Sequence, residues 1–109
     1  MKEKIDKYSF RIFWSEEDNE YVGECLEFPG LSWLAPTQEE ALSGIKKLIA
    51  ECVEDMLANE EKVPEPLSSR KFSGRFTVRI SPELHRKLTI EAKETGISLN
   101  KLAMLKLAS

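Results

Sequence analysis

The sequence predicts an α+β chain in two parts: a small three- to four-stranded antiparallel sheet covered by one long helix, then a short strand–helix–helix unit that pairs with a second copy of itself. Three observations predict this. Apolar residues alternate through the segments between Tyr8 and Ala35, a helical apolar stripe runs from Ala41 to Leu57, and the charge changes sign along the chain. Residues 1–66 hold 7 Lys and Arg against 16 Asp and Glu, a net of −9, whereas residues 67–109 hold 9 against 3, a net of +6. Such asymmetry favours two partners of opposite charge over chance clustering of solvated side chains.

The first strand is Tyr8 to Trp14, with Tyr8, Phe10, Ile12 and Trp14 on one face. Ser15 to Glu20 is polar and contains Asn19, so it forms a hairpin loop leading to a second strand, Tyr21 to Phe28. Pro29-Gly30 breaks that strand, and Leu31 to Ala35 forms a short third one with Leu31, Trp33 and Ala35 on a common side. Thr37-Gln38-Glu39-Glu40 is a capping box: the Thr37 hydroxyl accepts from the amide at Glu40, and the Glu40 carboxylate reaches back. Ile45, Leu48, Ile49, Cys52, Val53 and Met56 then continue one amphipathic helix to about Asn59, long enough to cover the sheet. Glu60 to Ser73, with Pro64 and Pro66, reads as connecting chain with room for a short edge strand near Leu67. The predicted boundaries are a sheet unit at 1–66, a linker at 67–73 and a second unit at 74–109.

In the second unit Arg75 to Ile80 alternates strictly, Phe76, Val78 and Ile80 inward and Arg75, Thr77 and Arg79 outward. Ser81-Pro82 supplies an N-cap and a proline at the first helical position. Leu84, Leu88 and Ala92 line that helix, Gly96 ends it, and Ser98 caps another, with Ile97 set to staple against Leu102. About 35 residues without a disulfide or metal bury too little to stand alone. Antiparallel pairing of the strand with its copy satisfies an open edge and closes a core in which Phe76, Val78, Ile80, Leu84, Leu88 and Leu102 are the expected contributors. The outer face of such a ribbon shows Arg75, Thr77 and Arg79 twice. A ribbon of that size fits the major groove, where arginine bonds guanine edges and threonine touches bases or thymine methyls. The free amides of the helix start at Ser98-Leu99-Asn100 suit a phosphate oxygen, with Asn100 and Lys101 as helpers.

The strand–helix–helix pattern of residues 74–109 resembles the ribbon-helix-helix repressors. The first part, through Glu24-Cys25-Leu26-Glu27-Phe28-Pro29-Gly30-Leu31, Trp33 and Thr37-Gln38-Glu39-Glu40-Ala41-Leu42, resembles the N-terminal domain of HicB antitoxins over residues 8–66. The order of the two parts also matches a HicB subclass. The resemblance implies a type II antitoxin of a HicA–HicB toxin–antitoxin pair. Its sheet domain, a partial ribonuclease H-like fold, would bind and neutralise a small basic mRNA-cleaving HicA-type toxin, and its tail would repress its own operon on double-stranded operator DNA as a homodimer or higher oligomer. An acidic surface suits a cationic toxin. Glu24 and Glu27 are candidate toxin contacts or, equally, ordinary solvent-facing carboxylates.

Catalysis is not expected. Asp18, Glu20, Glu24, Glu27 and Asp55 are available, but two-metal chemistry needs several carboxylates converging on ions about 4 Å apart, and no convergent set emerges. His85 lacks partners for a base or ligand role, so a surface or dimer-interface position is expected. Trp14 and Trp33 are expected in the core rather than in a ligand pocket. No cofactor or metal is implied. Cys25 and Cys52 read as reduced, buried thiols; with no apolar run near the roughly 18 residues of a membrane span and no apolar signal core after Met1-Lys2-Glu3-Lys4, a cytoplasmic location is expected. The alternatives are a ribbon-helix-helix regulator with a small-molecule-sensing N-terminal domain, and a metal-dependent ribonuclease with a DNA tether.

Overall fold

A computed structural model describes residues 2–109. The elements run α1 (Lys2–Asp6), β1 (Phe10–Ser15), β2 (Glu20–Cys25), β3 (Ser32–Ala35), α2 (Gln38–Ala58), α3 (Pro82–Thr95) and α4 (Leu99–Ala108). The fold is α+β, and the chain divides into two compact units, residues 1–72 and 73–109.

In the first unit β1, β2 and β3 form an antiparallel sheet in that order. Phe10 pairs with Cys25, Ile12 with Gly23 and Trp14 with Tyr21, while Gly23 pairs with Trp33 and Tyr21 with Ala35. Strand side chains alternate between faces, so this row faces α2. Gly23 fixes the assignment: a Cβ there would lie 2.6 Å from the Ala41 carbonyl oxygen and 3.0 Å from Ile45, so only glycine lets the helix approach the middle strand. The hairpin turn places Asn19 at φ 53°, a left-handed conformation that asparagine tolerates. The second strand is shorter than the apolar pattern predicts. It ends at Cys25, because the chain turns there: the Phe28 N–H donates to the Cys25 carbonyl (3.1 Å) and the Leu31 N–H to the Phe28 carbonyl (3.3 Å).

α2 begins where expected. The Glu40 N–H donates to Thr37 Oγ1 at 3.1 Å, satisfying one of the helix's unpaired N-terminal donors. Ala41, Ile45, Ile49 and Val53 recur every four residues and are buried against the sheet. Ile45, Ile49, Val53, Cys25, Tyr8, Phe28 and Val63 make the core, with Phe10, Ile12, Leu48, Cys52 and Met56 packed around it. The Tyr8 and Phe28 rings meet edge to face at 5.3 Å. Trp14 and Trp33 are not core residues: each is 42% exposed, and Trp33 lies at the helix–sheet margin against Gly44. Both tryptophans face α2, but they sit near the limits of the surface it covers.

The chain after α2 returns to the sheet unit. Val63 and Pro66 are buried. The Tyr8 hydroxyl donates to the Pro64 carbonyl (2.7 Å), Lys4 pairs with Glu65 (2.7 Å), and the Ser68 hydroxyl donates to the Lys7 carbonyl (3.4 Å). Glu27 is the main fastener. Its carboxylate accepts from the Ser9 N–H (2.9 Å), the Ser9 hydroxyl (3.2 Å) and the Leu67 N–H (2.8 Å), joining three separate stretches of chain.

Burial works to raise the Glu27 pKa, but the N–H groups of Leu67 and Ser9 that point at the carboxylate outweigh it and hold the group below its ordinary value of 4.5. A carboxylate whose pKa is lower folded than unfolded stabilises fully above the unfolded value, and that contribution fades as pH falls through the folded one. The melting temperature of the first unit is therefore expected to fall more steeply below about pH 4.5 than that of Glu27→Gln, which retains the shape but not the charge. Parallel melting curves for the two proteins across that range would remove Glu27 as the acid-sensitive fastener.

In the second unit α3 starts with the Leu84 N–H donating to Ser81 Oγ (3.2 Å) and with Pro82 in its first turn. It ends at Gly96 with φ 79°, whose N–H donates to the Ala92 carbonyl (2.9 Å). Ser98 Oγ then accepts from the Lys101 N–H (3.0 Å) to start α4. Residues 75–80 form no strand within one chain. Phe76, Val78 and Ile80, expected inward, are 74%, 62% and 43% exposed, and Leu84 is exposed as well. A strand needs a hydrogen-bonding neighbour, and one copy of this unit supplies none.

Candidate nucleic-acid interface and partner surface

Two of the second unit's seven Lys and Arg, Arg75 and Arg79, lie on its stretch without regular structure, and the other five lie on its helices. Arg75, Thr77 and Arg79 are all exposed, interleaved with the exposed Phe76, Val78 and Ile80. Only Ala92 and Leu102 are buried in this unit, while Leu88 is half-buried and Ile90, Met104, Leu105 and Leu107 are exposed. Two buried side chains are far too few to hold 37 residues in one conformation. The ion pair between Lys106 and Glu91 (3.2 Å) ties α4 to α3, but both groups are half-exposed, and such pairs contribute about 0–1 kcal/mol.

At the start of α4 the Ser98 hydroxyl is engaged by the Lys101 N–H, which leaves the amides of Leu99 and Asn100 as helix-end donors without an intrahelical acceptor. Asn100 and Lys101 are exposed beside them, and Leu99 is half-buried. An anion-binding helix end is thus available, with the positive end of the helix dipole behind it. His85 is exposed on α3, where it borders an open groove with Pro82, Arg86, Thr89 and Ile90.

The first unit carries a different surface. On the side of the sheet away from α2 lie Arg11, Phe13 and Ser15 of β1, Glu20, Val22 and Glu24 of β2, and Ser32 and Leu34 of β3. Phe13, Val22 and Leu34 are direct cross-strand neighbours, and Arg11 and Ser32 flank Glu24 in the same manner. The Arg11 guanidinium sits over the Phe13 ring, 4.5 Å from its centre. The two candidate glutamates separate here. Glu24 belongs to this open face, whereas the Glu27 carboxylate is committed to Ser9 and Leu67. Three residues apart on a continuous strand would put them on opposite faces, and the strand has in any case ended at Cys25.

Asp18 accepts from the Ser15 hydroxyl (2.9 Å) within the hairpin, and Asp55 is exposed on α2. Among the described residues no group of three or more His, Cys, Asp or Glu side chains is placed to hold a metal ion. Burial pushes the Cys25 thiol up to about 11, so it stays protonated near neutral pH. Cys52 is half-buried, and both cysteines are free. No helix among the described residues is long and apolar enough to cross a membrane.

The model of the HicB family matches residues 57–107. This match supports HicB membership, and it falls on the end of α2, the returning segment and nearly all of the second unit. The HicB-like residues recognised in the sequence, Glu24 to Leu31, Trp33 and Thr37 to Leu42, lie outside it, and the resemblance over residues 8–66 overlaps the match only at residues 57–66. No curated protein and no solved structure matches the chain.

Proposed function

We propose that this chain is a HicB-type antitoxin with two working surfaces: an acidic sheet unit that covers a small, basic, mRNA-cleaving toxin, and a ribbon-helix-helix tail that dimerises and represses the operon encoding the pair. The observation that carries the reading is the HicB match over residues 57–107, which takes in nearly all of a unit that by itself buries only Ala92 and Leu102.

Antiparallel pairing of residues 75–80 with the same residues of a second copy gives Phe76, Val78 and Ile80 a common apolar side, together with Leu84, Leu88 and Leu102. Arg75, Thr77 and Arg79 then form the outer face, suited to base edges in the major groove. The free amides at Leu99 and Asn100, with Ser98 and Lys101 beside them, suit a flanking phosphate. In the first unit the acidic balance, with 16 Asp and Glu against 9 Lys and Arg over residues 1–72, steers a cationic partner and repels nucleic acid. The toxin is neutralised by coverage, with no chemistry of the antitoxin's own.

The test is coexpression with the product of the adjacent reading frame, followed by operator binding. A basic protein of roughly 60–90 residues that copurifies with the chain, and a retarded promoter fragment from the same operon, are the expected results. Arg79→Ala should weaken that operator complex by about 1–3 kcal/mol per lost contact while leaving the copurified partner in place. Unchanged operator affinity would mean that the outward face of residues 75–80 does not read DNA.

A further inference from the structure

We infer that the open face of the sheet, centred on the Phe13–Val22–Leu34 row, is the surface on which the cationic protein partner docks. This inference rests on the antitoxin reading above and deepens it by naming the face. An antiparallel sheet in a two-layer unit can leave one side to water, and that side is then normally polar. Here its middle row is entirely apolar. Val22 is only 7% exposed although no helix of the first unit covers it: among the described residues of that unit, α2 is the one helix that contacts the strands, and it does so on the opposite side. Phe13 and Leu34 shield Val22 instead, and Leu34 remains 45% exposed.

The surroundings of this row determine its occupant. Glu20 and Glu24 lie on the same face, and the hairpin at its end adds Glu16, Glu17 and Asp18. Among the described residues Arg11 is the one cation on the face, and it is held over the Phe13 ring opposite Glu24. An apolar centre within a charged rim is the anatomy of a protein interface. The charge of the rim selects a basic protein. It repels phosphates, which excludes nucleic acid from this face, and self-pairing of two copies would bring two acidic rims together. The exposed side of α2 offers carboxylates such as Glu51 and Glu54 but no comparable apolar row, so charge alone does not make it an equal site.

The experiment measures binding of the purified basic protein from the adjacent reading frame to the full chain, by titration calorimetry, for four proteins: wild type, Glu20→Lys/Glu24→Lys, Leu34→Arg, and the charge-matched control Glu51→Lys/Glu54→Lys. The first two variants are expected to weaken binding by about tenfold or more, the first with a reduced salt dependence, whereas the control stays within about threefold of wild type. The thermal transition of the sheet unit should be retained in all four, which shows that residues 1–72 are folded, and operator binding through residues 73–109 should be unchanged. If Glu20→Lys/Glu24→Lys fails to fold, Leu34→Arg decides, since that side chain is already half in solvent. Wild-type affinity in Leu34→Arg, or an equal loss in the α2 control, would overturn the assignment of the face while leaving the antitoxin reading intact. A Leu34→Arg change that alters the mass of the free chain but not partner affinity would assign the face to a second copy and overturn the proposal. Absence of binding by wild type would remove both the face and the antitoxin reading.

Discussion

Val78→Asp is expected to abolish both dimerisation and operator binding while leaving residues 1–72 folded. Val78 sits at the centre of the alternating stretch, and in a paired ribbon its side chain meets the facing core of the second copy. Placing a carboxylate there buries an unpaired charge, which costs several kcal/mol at each of the two equivalent positions, in a unit whose isolated copy buries only Ala92 and Leu102. Within a single chain the same substitution changes almost nothing, because Val78 is 62% exposed. The contrast makes the result informative: sedimentation and promoter retardation should both fail, yet the thermal transition of the sheet unit should persist. A Val78→Asp chain that dimerises and binds its operator like wild type would show that residues 75–80 do not pair.

Ile49→Ala is expected to be the most damaging conservative change in the first unit, with a loss of about 2–5 kcal/mol. Ile49 is fully buried at the middle of α2, between Ile45 and Val53, and among the described residues of this unit α2 is the helix that packs on the sheet. A cavity there cannot be filled by a small shift, since Gly23 already holds α2 and β2 in close approach. For a unit of about 70 residues such a loss is a large part of the total stability. Chemical denaturation followed by tryptophan fluorescence would measure it. A change below 1 kcal/mol would place the centre of the core elsewhere than on the α2 stripe.

Much of this fold was legible because its signals are local. Thr37, Ser81, Pro82, Gly96 and Ser98 act on backbone groups within three or four residues, and each stands where its chemistry predicts. The four-residue repeat of Ala41, Ile45, Ile49 and Val53 likewise marks α2 without knowledge of the sheet. What could not be read depends on contacts distant in sequence. Glu27 looked like a surface carboxylate because its partner Leu67 is forty residues away. The same return of the chain explains why residues 60–68 are fastened to the sheet unit although their prolines suggest free connecting chain. The apolar row across the open face required the strand register, since Phe13, Val22 and Leu34 are unremarkable singly. Residues 75–80 teach the converse. Their alternation is plain in the sequence, but a single chain has no neighbouring strand to turn it into structure.

Residues 75–80 are expected to become a strand only against the same residues of a second copy. This pairing is tested most directly by mixing isotope-labelled and unlabelled full-length chains, refolding them together, and recording isotope-filtered contacts between chains. The expected result is cross-chain contacts between backbone protons throughout residues 75–80, symmetric about the middle of the stretch as antiparallel pairing requires. A chain that is monomeric at the same concentration, with no contact between copies along those residues, would contradict it.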